Sequence, residues 1–198
     1  MKRVLLLCLG LLVLSFTLLG SLSSEEALPL SPSQVADVAA SVDASSTPPL
    51  PANTYPVIKV IDGDTISIIK EGRTVTLRLI GLDTPETVDP RKPVQCFGKA
   101  ASDKAKELLT GKTVRIEFDV SQGTLDKYGR TLAYVFLSNG ILFNEYMIAE
   151  GYGHEYTYNL PYKYQKEFKE AQRRAREEEK GLWADGTCAG DTKKPAAS

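Results

Sequence analysis

The chain has 198 residues, of which 42% are hydrophobic and 25% are charged, and its formal net charge at pH 7 is −1. This size and composition fit one soluble domain with a modest core plus some appended sequence. Since positive and negative residues nearly cancel, bulk positive charge is excluded as a way of binding a polyanion, and a local arrangement of side chains would have to hold such a partner.

Residues 1–23 have the layout of a secretory signal peptide. Lys2 and Arg3 precede an uncharged, leucine-rich run, and a Ser-Leu-Ser sequence at 21–23 offers small residues for cleavage. The apolar run approaches the ~20 residues that span a bilayer, so an uncleaved N-terminal membrane anchor stays open as the alternative. In either case we expect the rest of the chain to be secreted, or tethered to the outer face of the cytoplasmic membrane.

Residues 24–54 are rich in Ser, Ala and Pro and lack a sustained periodicity, which predicts a disordered linker. The composition changes at Tyr55. We therefore predict a folded domain over 55–190, followed by a flexible tail over 191–198.

Three strand patterns open the predicted domain, at 57–61, 65–70 and 74–80. A Glu-Gly pair between the second and the third is typical of a hairpin turn. In the third pattern apolar and polar residues alternate, which places Arg78 on the face opposite its apolar neighbours.

Helix and strand patterns follow in the rest of the domain. Apolar residues at helical spacing predict helices over 101–109, 144–150 and 162–180, while alternation predicts strands over 113–118 and 131–137. Five antiparallel strands with a helix between the third and the fourth are typical of the OB-fold. We therefore predict an α+β fold, a five-stranded OB-fold β-barrel with three α-helices.

Two cysteines, Cys96 and Cys188, remain after the N-terminal segment. In an exported protein a remaining pair predicts a disulfide, which would tie the C-terminal part to the loop before the first helix. Two free thiols are the alternative.

Four acidic residues lie close to the ends of predicted strands, in the sequences VIDGDT and GLDTPE. They are Asp62, Asp64, Asp83 and Glu86. Turn formation alone accounts for either sequence. Clustered carboxylates without nearby His or Cys also favour Ca²⁺ or Mg²⁺ over Zn²⁺. The single histidine, His154, cannot supply the ligand set of a zinc hydrolase, and we interpret it as an ordinary loop or helix-end residue.

Two arginines extend the acidic pattern toward phosphate chemistry. Arg78 lies five residues before Asp83, and Arg130 closes the glycine-bearing sequence KYGR. A divalent cation beside two guanidinium groups is the combination that phosphodiester cleavage needs, because both offset the charge that grows on the phosphate. A carboxylate that does not bind the metal could orient and deprotonate a water molecule.

Five motifs follow one another between residue 55 and about residue 183: VIDGDT, LRLIGLDTPE, DKYGR, FNEYMIAEGY and GLW. Together they resemble the thermonuclease (staphylococcal nuclease-like) family. The resemblance implies an OB-fold barrel with three helices and Ca²⁺-dependent hydrolysis of DNA and RNA to products that carry a 3′-phosphate. It also implies single-stranded or denatured substrates, and we expect a monomer.

The resemblance also implies roles for the acidic residues. Asp64 and Asp83 would be carboxylate ligands of Ca²⁺, and Thr84 would add its backbone carbonyl. Glu86 would orient or activate the attacking water, and Asp62 would support the site without binding the metal directly.

Arg78 and Arg130 would bind the phosphate and stabilise the transition state, again by resemblance. Weaker correspondences concern contacts with the nucleic acid, and ordinary packing is the alternative for the tyrosines at 156 and 158. The residues concerned are Arg91, Lys92, Lys127, Tyr128, Tyr156 and Tyr158.

Two readings from other classes remain. A non-catalytic OB-fold module could use the same groove to bind nucleic acid, although a pure binder has no need of the full set of carboxylates and arginines. A membrane-tethered structural domain that binds Ca²⁺ for stability is the third.

Overall fold

The computed structural model describes residues 52–91 and 93–194. The predicted signal peptide or anchor, nearly all of the predicted linker, Lys92 and the last four residues of the predicted tail lie outside the described residues. Within the described residues, no helix combines the length and the apolar character needed to cross a membrane.

The described residues form seven strands and three α-helices, followed by a 3₁₀ turn at Gly181–Trp183. The strands are β1 (Thr54–Asp62), β2 (Thr65–Lys70), β3 (Arg73–Leu79), β4 (Leu82–Asp83), β5 (Thr113–Glu117), β6 (Thr131–Phe136) and β7 (His154–Glu155). The helices are α1 (Gly98–Leu109), α2 (Phe143–Ala149) and α3 (Gln165–Glu177). Thr54 already belongs to β1, one residue before the predicted start of the domain.

Five of the strands close into a barrel in the order β1-β2-β3-β6-β5, which confirms the predicted fold class. One detail of the prediction is wrong, because β3 and β6 pair in parallel rather than antiparallel. The reason is geometric: directions cannot alternate all the way around a closed ring with an odd number of strands, so at least one neighbouring pair must be parallel. This pairing brings the C-terminal end of β3 beside the N-terminal half of β6.

A second, two-stranded sheet joins β4 to β7 and was not predicted, because two residues carry no readable periodicity. In it Asp83 pairs with His154, so the histidine lies in a short strand rather than in a loop or at a helix end. Its ring packs edge-on against Trp183, with centroids 4.9 Å apart, and burial lowers the pKa of His154. His154 is therefore a packing residue that helps to hold the segment carrying Asp83.

The three helices lie where they were predicted, with ends that differ by at most three residues. The inner stripe of α3 buries Phe168, Ala171 and Ala175. A disulfide joins Cys96 to Cys188, 92 residues apart in sequence. It fastens the chain just before α1 to the C-terminal segment after the 3₁₀ turn.

Candidate active site

The turn between β1 and β2 presents Asp64 to the end of the barrel. The backbone N–H of Leu79 donates to the carbonyl oxygen of Asp64 at 3.0 Å, so this turn is fixed against the end of β3. Gly63 permits the arrangement: a Cβ at that position would lie 2.7–2.9 Å from the side chain of Thr84. Only glycine therefore lets Thr84 approach the turn this closely.

The Asp64 carboxylate is almost fully buried, with 7% of the residue exposed, and both of its oxygens accept hydrogen bonds. Oδ2 accepts from the backbone N–H of Thr84 at 2.9 Å and from its hydroxyl at 3.1 Å. Oδ1 accepts from the hydroxyl of Thr65 at 2.9 Å. A buried charge needs this degree of compensation, which here comes from Thr84, just after β4, and from Thr65, at the start of β2.

Arg78 lies between the two carboxylates that the sequence predicts as metal ligands. Its Nη2 is 2.8 Å from Oδ1 of Asp83 and 3.3 Å from Oδ2 of Asp64. Its Nη1 donates to the carbonyl oxygens of Leu79 and Leu82. Burial and the nearby Asp64 raise the pKa of Asp83, although Arg78 acts in the opposite direction. The two carboxylates therefore lie close enough to repel each other across one guanidinium group.

Arg130 reaches the same site from the start of β6. Its Nε and Nη2 both lie 2.6 Å from Oδ2 of Asp126, and its Nη1 donates to the hydroxyl of Thr65 at 3.3 Å. Since that hydroxyl donates in turn to Asp64, a continuous chain of hydrogen bonds connects Arg130 to the buried carboxylate. Neither Asp126 nor Thr65 was predicted. Asp126 stands four residues before Arg130 in DKYGR, and the turn at Gly129 brings the two ends of this sequence together.

Asp62 ends β1, two residues before Asp64, and Glu86 lies in the chain that follows β4. Burial, opposed by hydrogen bonds and aided by the neighbouring Asp64 and Glu86, raises the pKa of Asp62 to about 6. Asp62 accepts from the hydroxyl of Thr87 at 2.9 Å and so anchors the segment that carries Glu86. Oε1 of Glu86 accepts from the backbone N–H groups of Val88 and Asp89, at 2.7 and 3.1 Å.

A cleft of about 510 Å³ opens beside Arg78 and Arg130, whereas Asp62, Asp64, Thr84 and Glu86 are not among its lining residues. It is lined by predicted catalytic and metal-site residues and by predicted substrate contacts, namely Arg78, Asp83, Arg130, Lys127, Tyr128, Tyr156 and Tyr158. The three tyrosines are 72%, 45% and 62% exposed, which core packing does not account for. Of the remaining predicted contacts, Arg91 is solvent-exposed and paired with Asp89, and Lys92 lies outside the described residues.

Comparison with known proteins identifies the family. A family model described as staphylococcal nuclease homologue matches residues 76–185, just over half of the chain. The chain belongs to this family. The matched span contains Arg78, Asp83, Glu86 and Arg130. Because it begins after β2, it does not include Asp64, and the contact between Asp64 and Arg78 is seen in the structure.

Three relatives each match about two thirds of the chain. A protein named Thermonuclease from Staphylococcus hyicus is 48% identical over 132 residues, which are 67% of this chain and 76% of that protein. A second Thermonuclease, from Staphylococcus intermedius, is 46% identical over 130 residues, covering 66% and 76%. The SPbeta prophage-derived endonuclease YokF from Bacillus subtilis (strain 168) is 37% identical over 127 residues, covering 64% and 42%.

The donor set at the site fits a hard divalent cation. Asp64 and Asp83 supply carboxylate oxygens, Thr84 is held against Asp64, and the remaining positions of an oxygen-coordinated cation are commonly filled by water. Among the described residues, no three His, Cys, Asp or Glu side chains are grouped so that they could hold a metal ion. Burial is the main cause of the raised pKa of Asp83 and repulsion from Asp64 adds to it; a cation bound between the two carboxylates would relieve that repulsion.

Proposed function

We propose that this protein is an exported, Ca²⁺-dependent nuclease that hydrolyses phosphodiester bonds of DNA and RNA and leaves 3′-phosphate products. The relatives named Thermonuclease and endonuclease support the reaction class. The observation that carries the proposal is that Arg78 lies against both Asp64 and Asp83 and lines the same cleft as Arg130. A chain of hydrogen bonds through the Thr65 hydroxyl connects Arg130 to Asp64.

A bound Ca²⁺, held by Asp64, Asp83 and the carbonyl of Thr84, would supply positive charge to a non-bridging phosphate oxygen. The two arginines donate to the other phosphate oxygens, where negative charge grows as water attacks. Arg78 is already fixed by four oxygen acceptors, and Arg130 is fixed by Asp126. Their positions therefore require little rearrangement when substrate binds.

Glu86 orients the attacking water and takes up its proton. The hydrogen bonds that its carboxylate accepts from described residues are made by Oε1 with two backbone N–H groups, which leaves Oε2 for water. As the water oxygen bonds to phosphorus, the P–O5′ bond breaks and the departing O5′ takes a proton from solvent water, so the products are a 3′-phosphate and a 5′-hydroxyl. Asp62 supports this arrangement by holding Thr87, next to Glu86.

The wall of the cleft favours single-stranded or denatured nucleic acid. Tyr156 and Tyr158 place their rings 6.3 Å apart at the surface, and Nζ of Lys127 lies 5.0 Å from the ring centroid of Tyr128. Exposed aromatic faces stack on bases of any sequence only where those bases are unpaired. We propose a monomer that binds through phosphate and stacking contacts and shows weak sequence preference.

The proposal is tested by incubating the purified chain with heat-denatured DNA, with millimolar Ca²⁺ or with a chelator. We expect digestion with Ca²⁺, none with chelator, and 3′-phosphate ends on the fragments. DNA that is bound but remains intact would favour the non-catalytic binding module instead. Full activity in Glu86→Ala would disprove the role given to Glu86.

Export is tested separately, by fractionating cells that express the full chain. We expect the protein in the medium, or on the outer face of the cytoplasmic membrane if the N-terminal segment is retained. N-terminal sequencing of the exported protein distinguishes a cleaved signal peptide from an anchor. Protein found only in the cytoplasm would refute this part of the proposal.

A further inference from the structure

Gln95 holds both ends of the Glu86 backbone. The N–H of Glu86 donates to Oε1 of Gln95 at 2.8 Å, and the N–H of Gln95 donates to the carbonyl oxygen of Glu86 at 3.0 Å. One residue thus fixes both the amide and the carbonyl of Glu86. The Glu86 carboxylate is held by the N–H groups of Val88 and Asp89, two and three residues later in the chain. Its orientation therefore depends on how the backbone at Glu86 is anchored.

Gln95 is itself held from the side of the chain that leads into α1. Its neighbour Cys96 is bonded to the fully buried Cys188, and the N–H of Cys96 donates to the carbonyl oxygen of Lys194 at 2.8 Å. A side chain and a backbone group of the same residue therefore attach this point to the C-terminal segment.

Close packing holds the same region against the Glu86 segment. A Cβ placed on Gly98 would lie 3.1 Å from the carbonyl oxygen of Pro85, 3.2 Å from that of Glu86 and 2.8 Å from Cγ2 of Thr87. The chain leaving Gln95 is thus in direct contact with the chain around Glu86. The segment around Gln95 and the C-terminal segment, which are far apart in the sequence, thus both support the segment that carries the Glu86 carboxylate.

We propose that Gln95 is a positioning residue for Glu86, and that the Cys96–Cys188 disulfide holds Gln95 in place. The proposal rests on the proposed function, since Glu86 handles water only if the chain is a nuclease. A glutamine suits the task because its neutral amide accepts from the Glu86 N–H without adding a carboxylate to an acidic site. A small displacement of an oriented group lowers the rate of a reaction far more than it lowers binding.

The matched experiment compares Gln95→Met with Gln172→Met. Oε1 of Gln172 also accepts a backbone N–H, from Glu155 at 2.9 Å, so both variants remove the same kind of hydrogen bond. We expect Gln95→Met to lower kcat about 10- to 100-fold with KM changed less than about twofold. We expect Gln172→Met to retain the kcat of the wild type. An unchanged kcat in Gln95→Met, or an equal loss in both variants, overturns the proposal.

A double-variant cycle with Glu86→Gln tests whether Gln95 acts through Glu86. We expect Gln95→Met to cause no further loss of kcat in the Glu86→Gln background, because the group that it positions is already disabled. A loss of the same size in both backgrounds contradicts the assignment, since it would show that Gln95 acts independently of Glu86.

Amide hydrogen exchange gives a readout that does not depend on activity. We expect the Glu86 amide to exchange at least about tenfold faster in Gln95→Met than in wild type, and to be unchanged in Gln172→Met. Unchanged exchange at Glu86 in an active enzyme overturns this proposal alone. A wild-type chain that cleaves no DNA in Ca²⁺ overturns the proposed function, and the catalytic role of Gln95 with it.

Discussion

Asp119 is a buried carboxylate that ties the chain after β5 to β6 and to the segment before α3. Its Oδ1 accepts from the N–H and the hydroxyl of Ser121, at 2.9 and 2.7 Å. Its Oδ2 accepts from the hydroxyl of Tyr134 and from the N–H of Lys163, both at 2.8 Å. Burial acts to raise the pKa of Asp119, but these hydrogen bonds outweigh it and hold the pKa below its ordinary value.

The substitution Asp119→Asn keeps the shape of the side chain and removes its charge. An amide has one acceptor oxygen, so two of the four donors would face an NH₂ group. The Ser121 hydroxyl can turn and accept from that group, whereas the Ser121 N–H cannot. Hydrogen bonds to a charged group contribute about 1.5–3 kcal/mol each. The variant loses the bond from the Ser121 N–H, and the bonds from Tyr134 and Lys163 become weaker because their acceptor is neutral. We therefore predict a destabilisation of about 2–4 kcal/mol at pH 7.

The pH dependence of this loss follows from the depressed pKa. Because the folded value lies below the unfolded value of about 3.9, the stabilisation is fully present above about pH 3.9 and is lost as the pH falls through the folded value. The difference between the free energies of unfolding of the wild-type protein and Asp119→Asn should therefore have its full size at pH 7 and become smaller in more acidic solution. Urea unfolding, followed by the fluorescence of the single tryptophan Trp183, measures both values.

Asp103→Asn is the control, because Asp103 is a half-exposed carboxylate paired with Lys99 on the surface of α1. We expect this variant to match the wild type within error. Destabilisation of Asp119→Asn that is the same at pH 3 as at pH 7, or no larger than that of Asp103→Asn, would refute the reasoning.

Three further predictions concern the site and the disulfide. Replacing Arg78 by Lys should lower kcat about 100-fold or more, because an ammonium group cannot donate to the Leu82 carbonyl and to Asp83 in the fork geometry of a guanidinium. Single-turnover cleavage measures this rate, and a loss below tenfold would contradict the prediction. Removing the disulfide with Cys96→Ser and Cys188→Ser should lower the free energy of unfolding by about 4–5 kcal/mol, since the bridge closes a loop of 92 residues. Urea unfolding of the wild-type protein with and without reductant should show the same difference. The logarithm of the binding constant for single-stranded DNA should fall linearly with the logarithm of salt concentration, and a slope near zero would exclude phosphate contacts as the main source of binding.

The barrel was predictable because its strands carry local signals. The alternation of apolar and polar residues in β3 buries Leu77 and Leu79 and leaves Arg78 on the opposite face, as predicted. The parallel pairing of β3 with β6 and the β4–β7 sheet were not predicted, since strand pairing joins residues far apart in the sequence. The odd number of barrel strands was nevertheless a sufficient reason to expect one parallel pair.

The site was predictable in its main groups and not in the residues that hold them. The sequence motifs suggested Asp64, Arg78 and Asp83, which the structure brings into direct contact. The roles of Thr65 and Gln95 arise only from tertiary contacts, to Arg130 and to Glu86 respectively, and no local pattern indicates them.

The supporting contacts explain how a nearly neutral domain can concentrate charge at one point. Arg78 is held by carboxylates on one side and by backbone carbonyls on the other, so its position is set by the folded chain before a phosphate arrives. Arg130 is held in the same way by Asp126, and the Thr65 hydroxyl links it to Asp64. Fixed donors cost little reorganisation when charge develops on a substrate, which is the main electrostatic advantage of an active site over water. The acidic partners therefore do more than balance charge, because they keep both guanidinium groups directed toward the same cleft.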